Sequence, residues 1–332
     1  MLILVSGALL LAATKTCSEC GTKLRGKYLT SNGRVFCSQA CYEKTLPKCT
    51  ACGRRIKGPF VRVEGKPYCS KKCRNTILPK CEICNQPLLS YVRVGEHLYC
   101  KEHAKNPPCD ACGLPVGRGA KLGDGRIVCA NCRPDLVLQM TSARILYMRA
   151  RDDFHVITGL KSPTLPPLAL VGLEKMPGYR VGQAPSELHE RGFYHRKETT
   201  TEHKTIFGMV LAKRTDVTER ISILYGLPRQ QFVSTATHEL MHDIISERYP
   251  KLAGTGPTWV EEGLCQYAAS LVCRRHGYEE QLERLAKNIS PDYGDSYRYF
   301  LQLFGENGAI KMLRWLATAD GSRMPTRPPE LE

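Results

Sequence analysis

His238-Glu239-Leu240-Met241-His242 sets two imidazoles four positions apart, with a carboxylate beside the first. On a helix, residues i and i+4 share a face about one turn apart, so both rings can reach a single zinc ion while Glu239 projects next to them. That is the donor arrangement of a metallopeptidase. A further acidic pair, Glu261-Glu262-Gly263, follows in "GPTWVEEGLCQYAASLV", with Glu262 twenty residues beyond His242. This length lets one helix end, a loop turn, and an antiparallel helix return with a third ligand. Gly263 then allows the two helices to approach closely.

A second metal chemistry occupies the other end of the chain. Fifteen of the 17 cysteines lie between Cys17 and Cys132, in pairs that repeat. The sets are Cys17, Cys20, Cys37 and Cys41; Cys49, Cys52, Cys69 and Cys73; Cys81, Cys84, Cys100 and His103; and Cys109, Cys112, Cys129 and Cys132. Each set is a knuckle, a short alternating segment, a Gly-containing turn and a second pair. Four soft ligands at this spacing read as one tetrahedral structural zinc per unit. His103 decides against a disulfide scaffold, because histidine replaces a zinc ligand but forms no disulfide, and the odd count of cysteines agrees. Each unit is too short to bury a core, so zinc supplies most of its folding free energy.

The elements that position these groups follow from the pattern around them. Apolar residues from Leu136 to Met148 recur with helical spacing and predict a helix beginning near Pro134. "PPLALVGL" reads as a short strand, and "TIFGMVLAKR" and "ERISILYGLP" as further β structure. Pro228 at a first helical position starts a helix through the His238 motif. The segment "TTTEHKTIFGMV" is an internal strand by default, or an edge strand that could align a peptide by main-chain hydrogen bonds. Cys265 and Cys273 read as buried small hydrophobes. His189, His195 and His203 lack ligand spacing and read as surface or loop residues.

These motifs together resemble a known family. "WVEEGLCQY" resembles the Glu-Gly helix of zinc aminopeptidases, and the whole arrangement resembles gluzincins such as thermolysin. "SILYGLPR", "HELMH", "VEEGLCQ" and "YGDSYR…FGENGAIKMLRWL" resemble, in order, segments of the DA-one peptidase family, the LIM-containing growth regulators of plants. The resemblance covers most of residues 134–318. It implies an α+β chain in which tandem zinc-ribbon or LIM-like modules precede a zincin-like (gluzincin) metallopeptidase domain. It implies one catalytic zinc held by His238, His242 and Glu262, in preference to Glu261, with Glu239 as general base. Tyr293 in "PDYGDSY" resembles the downstream tyrosine that stabilises the oxyanion in aminopeptidase-like sites, with Tyr297 as runner-up and packing as the competing role of both. Gln266 and Glu261 are candidates to orient a ligand imidazole, or else are solvated. Two departures stand out: ubiquitin-interacting helices are absent before Cys17, and the seven residues between Cys41 and Cys49 exceed the roughly two expected of a LIM double finger.

The expected domains are therefore a signal-like hydrophobic segment at 1–16, four ribbons at 17–133, the peptidase domain at 134–320 and a disordered tail at 321–332. The expected cofactor content is five zinc ions, one catalytic and four structural. The ribbons would hold a protein substrate or partner. Nucleic acid is the weaker partner class. Residues 1–135 carry 23 Lys/Arg against 9 Asp/Glu, but fifteen thiolates binding four divalent ions bring that +14 to +7. The alternative function is a ribbon adaptor or nucleic-acid-binding protein with an inactive peptidase-like domain. Leu2 to Ala13 is too short to span a bilayer. It allows either export, through a segment lacking the usual preceding Lys or Arg, or a cytoplasmic location in which thiols stay reduced.

Overall fold

The computed structural model describes residues 15–180, 190–204 and 210–330. Leu2–Ala13, His189 and residues 205–209 lie outside them. The chain divides into two compact units, residues 1–105 and 106–332.

The first unit holds three ribbons. Their hairpins are β1 (Leu29–Ser31) with β2 (Arg34–Phe36), β3 (Val61–Val63) with β4 (Lys66–Tyr68), and β5 (Val92–Val94) with β6 (His97–Tyr99). The first two ribbons close on short helices, α1 (Gln39–Lys44) and α2 (Lys71–Asn75). Ser38 and Ser70 cap them, each accepting the backbone N–H of the cysteine three residues on. In β1–β2, Ser31 pairs with Arg34 across Asn32-Gly33, both at positive φ, the turn that matches strand twist. The residue after each knuckle, Gly21, Gly53, Asn85 or Gly113, also has positive φ. Glycine or asparagine is what that backbone tolerates. Each ribbon buries only one aromatic against its cysteines: Phe36, Tyr68 or Tyr99.

The second unit begins with the fourth ribbon, β7 (Gly119–Lys121) and β8 (Ile127–Cys129). The sequence puts a boundary at 133/134, whereas the units part at Lys105/Asn106. The reason is a set of bonds with no counterpart on the sequence surface. Arg126 is 1% exposed, pairs with Asp110 and Asp124 at 2.9 Å each, and donates to the Tyr225 carbonyl. The Tyr225 hydroxyl accepts from the Asp124 N–H at 2.9 Å.

β9 (Leu136–Val137) follows, and α3 (Met140–Thr158) starts later than Pro134 because residues 133–137 turn and then pair as strand. Ala143, Leu146, Tyr147, Ala150 and Phe154 form its buried stripe, and Gly159 ends it in the left-handed region. β10 (Leu168–Val171), β11 (Gly192–Lys204) and β12 (Val210–Leu224) form a sheet of order β10–β12–β11, with β10 parallel and β11 antiparallel to β12. Residues 199–204 of "TTTEHKTIFGMV" thus lie on an edge strand rather than an internal one. β13 (Leu227–Pro228) pairs with β9 and leads into α4 (Arg229–Arg248), with Pro228 as the cap just before the helix.

The antiparallel α5 helix (Thr258–His276) packs on α4, followed by α6 (Glu279–Ala286), α7 (Ser296–Phe304) and α8 (Ala309–Leu316). α4 and α5 are buried on nearly all sides, including Phe232, Leu240, Ile244, Leu264 and Val272, each contributing about 1.5–3 kcal/mol of burial. The close approach expected at Gly263 exists, but its partner is α7. A Cβ there would stand 2.6 Å from Ser296 Cβ and 2.9 Å from Phe300 Cδ2. Residues 321–325 are held rather than loose: Gly321 N–H donates to Lys251 O at 2.8 Å and the Trp259 indole to Pro325 O at 2.8 Å. No helix among the described residues is long and apolar enough to cross a membrane.

Candidate active site and zinc clusters

All sixteen predicted ribbon ligands converge in their four predicted sets. A tetrahedral ion bonded to sulfurs at about 2.3 Å sets them about 3.8 Å apart. Cys20–Cys37 and Cys37–Cys41 stand at 3.6 and 3.5 Å, Cys52–Cys69 and Cys69–Cys73 at 3.8 and 3.4 Å, and Cys112–Cys129 at 4.0 Å. His103 enters through Nδ1, 3.2 Å from Cys100 Sγ and 3.6 Å from Cys81 Sγ. Without a cation the thiols of a set share protons unevenly: the Cys69 N–H draws Cys49 down to about 6 while the Cys73 thiol pushes Cys69 up to about 12, and Cys109 falls to about 4 through the Cys112 thiol, which is itself raised. A bound divalent cation lets all four be thiolates. Tandem, LIM-like, cysteine-rich zinc-binding clusters are therefore built into residues 17–132.

On α4, His238 and His242 turn their Nε2 atoms to within 3.2 Å of each other. From α5, Glu262 Oε2 lies 3.1 Å from His238 Nε2, and its Oε1 lies 3.6 Å from His242 Nε2. Zinc bonds of about 2.0–2.1 Å require donors about 3.3–3.4 Å apart, so this triangle fits one ion. Cys265 is a second candidate for the third corner, with its sulfur within 4.8 Å of both imidazoles. Distance separates the two. The Glu262 carboxylate oxygens stand 3.1 and 3.6 Å from the imidazole Nε2 atoms, close to the spacing a shared zinc requires, whereas the Cys265 sulfur is grouped with them only within 4.8 Å. Behind His242, Glu261 Oε2 stands 3.8 Å from Nδ1 and Glu261 Oε1 accepts the Gly254 N–H at 2.5 Å. His238 Nδ1 is buried with no hydrogen-bond partner among the described residues.

Glu239 is 5% exposed, and burial raises its pKa, partly offset by the two imidazoles. It lies against the start of β11. A Cβ at Gly192 would meet Glu239 Oε1 at 2.5 Å and Thr235 Cγ2 at 2.4 Å, so only glycine leaves room for the carboxylate. A buried network fixes the register of β11 on α4. The Tyr194 hydroxyl donates to Glu219 at 2.9 Å and stands 3.3 Å from Asp243, and Arg196 binds Glu219 at 2.6 Å and also Glu247.

A cavity of about 430 Å³ opens on the triangle. Gly192, Phe193 and Tyr194 line one wall, and Tyr293 and Gln266 join from the helical side. The Tyr293 ring stacks 6.2 Å from His238, its hydroxyl donates to Glu190 at 3.4 Å, and burial raises its pKa, so it stays a proton donor. Tyr297 instead is 1% exposed in the core and is not brought to the cavity. His195 is exposed on β11. Cys273 is buried at the core, while Cys265 is buried beside the imidazoles. No local sequence pattern points to Gly192, Glu190, Arg191 or Arg284. Their signal was confined to a glycine opening a strand and to charged residues that read as solvated.

Residues 186–306 match the DA1-like family, whose model is described as Protein DA1. That segment, 121 of the 332 residues, is where the chain is similar to the family. The DA1-like segment contains both imidazoles, Glu239, Glu262 and Tyr293. Similar proteins include the LIM domain-containing protein HDR3 of Oryza sativa subsp. japonica, 27% identical over 52% of this chain and 38% of its own length. Protein DA1 of Arabidopsis thaliana is 28% identical over 52% of this chain and 35% of its own, and Protein DA1-related 1 of the same plant is 27% identical over 52% and 34%. The chain thus spans well under half the length of the curated relatives it matches.

Proposed function

We propose that the DA1-like segment is a zinc metallopeptidase acting on protein substrates, with the ribbons of residues 17–105 binding a substrate or partner protein. The observation that carries this reading is the triangle of His238 Nε2, His242 Nε2 and the Glu262 carboxyl group, facing a cavity with a buried carboxyl at its edge. Zinc bound there supplies a Lewis acid and brings the pKa of its water toward about 7. Glu239 then takes the proton from the attacking water and returns it to the leaving amine, held in place by the space at Gly192. Tyr293 donates to the carbonyl oxygen as negative charge develops. The unpaired edge of β11, from Gly192 to Tyr194 along the cavity, aligns the peptide main chain.

Glu239→Gln tests the base. Peptide cleavage falls by about 10²–10⁴-fold while zinc content stays unchanged, and undiminished cleavage removes Glu239 from the role. A base must be ionised, so a raised Glu239 pKa moves the acid limb of kcat/KM above the ordinary glutamate value of about 4.3, with activity lost as pH drops through it. A limb at or below that value contradicts the assignment.

A further inference from the structure

The far wall of the cavity is polar. On α4, Gln231, Ser234, Thr235, His238 and His242 share the cavity-facing stripe, and Gln281, Arg284 and Asn288 face it from α6 and the loop after it. Ser234 and Gln281 are buried and bonded to each other at 3.2 Å, which fixes that wall. Polar groups on this wall would need replacement hydrogen bonds from any side chain that displaces their water.

Arg284 is the cation of this wall. It donates to Ala111 O at 2.8 Å and to Gln231 Oε1 at 3.3 Å, both neutral acceptors. Those bonds use two of the five N–H groups of a guanidinium, and no carboxylate among the described residues lies within ion-pair distance of it. Its neighbours contrast with it. Arg191, on the same cavity, meets both oxygens of Asp110 at 3.0 and 3.1 Å, and Arg126 is paired with Asp110 and Asp124. Glu280, one turn earlier on α6, is exposed. Arg284 is left with donors in the fork geometry that fits a carboxylate, on the same cavity as the triangle.

Position sets the reach. Gln231 and His238 are seven residues apart on α4, so the guanidinium on Gln231 lies about 10 Å along the helix from the metal ligands. An extended peptide advances about 3.3 Å per residue. We propose, resting on the peptidase reading above, that Arg284 receives a substrate carboxylate two or three residues from the cleaved bond. That carboxylate is an Asp or Glu side chain or the free end of the peptide.

The test uses the full chain and fluorescein-labelled octapeptides carrying one Glu, Gln or Lys at each position in turn, with a free-acid or amidated end. Binding is measured on the Glu239→Gln protein and cleavage on the unaltered one. One position, or the free end, should favour the carboxylate by about tenfold in both measurements, and Arg284→Met should reduce this to about twofold or less. Arg284→Glu should invert it toward Lys, which mere loss of the Ala111 contact cannot do. A Glu preference at an internal position assigns the side chain, and an acid-over-amide preference assigns the terminus. The proposal is overturned if no carboxylate preference exists, if it survives both substitutions, or if no peptide binds. Cleavage without preference removes Arg284 alone. Carboxylate-selective binding without cleavage by the unaltered protein removes the peptidase reading and leaves Arg284 in place.

Discussion

The first three ribbons and the fourth carry the same repeat, yet they fold in different company. At the hairpin position three residues before the third metal ligand, the ribbons have Arg34, Lys66, His97 and Arg126. Arg34 and Lys66 are exposed and His97 is half-buried, but Arg126 is sealed between two carboxylates and the Tyr225 carbonyl. Three ribbons depend on zinc and a single aromatic, whereas the fourth is also tied to the turn that launches α4. A repeated local fold can therefore be an independent module in one copy and structural fabric of its neighbour in another.

Removing zinc from one ribbon at a time gives the largest contrast. A structural site of this kind is worth about 10–16 kcal/mol in isolated fingers, so Cys49→Ser and Cys109→Ser each unfold their own ribbon and lose one zinc by elemental analysis. Cys109→Ser should also collapse peptide cleavage by residues 106–332, while Cys49→Ser leaves it within about twofold. Equal losses would break the contrast. The same logic predicts that a 106–332 fragment folds with two zinc ions, and that a fragment starting at 134 melts lower for want of Asp110 and Arg126.

Next in size is the buried arginine. Arg126→Met strands Asp124 without a cation, leaves Asp110 to Arg191 alone, and should cost about 3–5 kcal/mol in urea unfolding of the 106–332 unit. Arg34→Ala, at a comparable place in the first ribbon, should change stability by no more than about 0.5 kcal/mol. Similar values for the two would mean that the salt-bridge network adds nothing beyond packing. Smaller in stability is Gly192→Ala, at about 1–3 kcal/mol, but its displacement of Glu239 should lower kcat by about a hundredfold with zinc retained. An unaltered kcat would detach Glu239 from the β11 edge.

Legibility in the sequence followed the range of the interaction. The ribbon ligands are fixed by local spacing, and His238, Glu239 and His242 by helical period, so all could be read from residue order. Glu262 needed only the length of one turn between two helices. Gly192 touches Glu239 from 47 positions upstream, and Arg284 reaches Ala111 across 173, so no local pattern could expose either contact. α3 starts later than the apolar pattern predicts because Leu136–Val137, apolar and in helical phase, pairs as a strand with Leu227–Pro228. The membership of the fourth ribbon was hidden because Arg126 matches the solvated basic residues of the earlier repeats. Cys265 reads correctly as buried, but its place beside the imidazoles comes from the helix packing that also delivers Glu262.

The bond from Arg284 to the Ala111 carbonyl ties a knuckle loop to the cavity wall proposed to receive the substrate carboxylate. A chelator strong enough to strip only the fourth ribbon would then loosen that guanidinium before it disturbed the imidazoles. Selectivity among peptides should blur at a lower chelator dose than turnover itself.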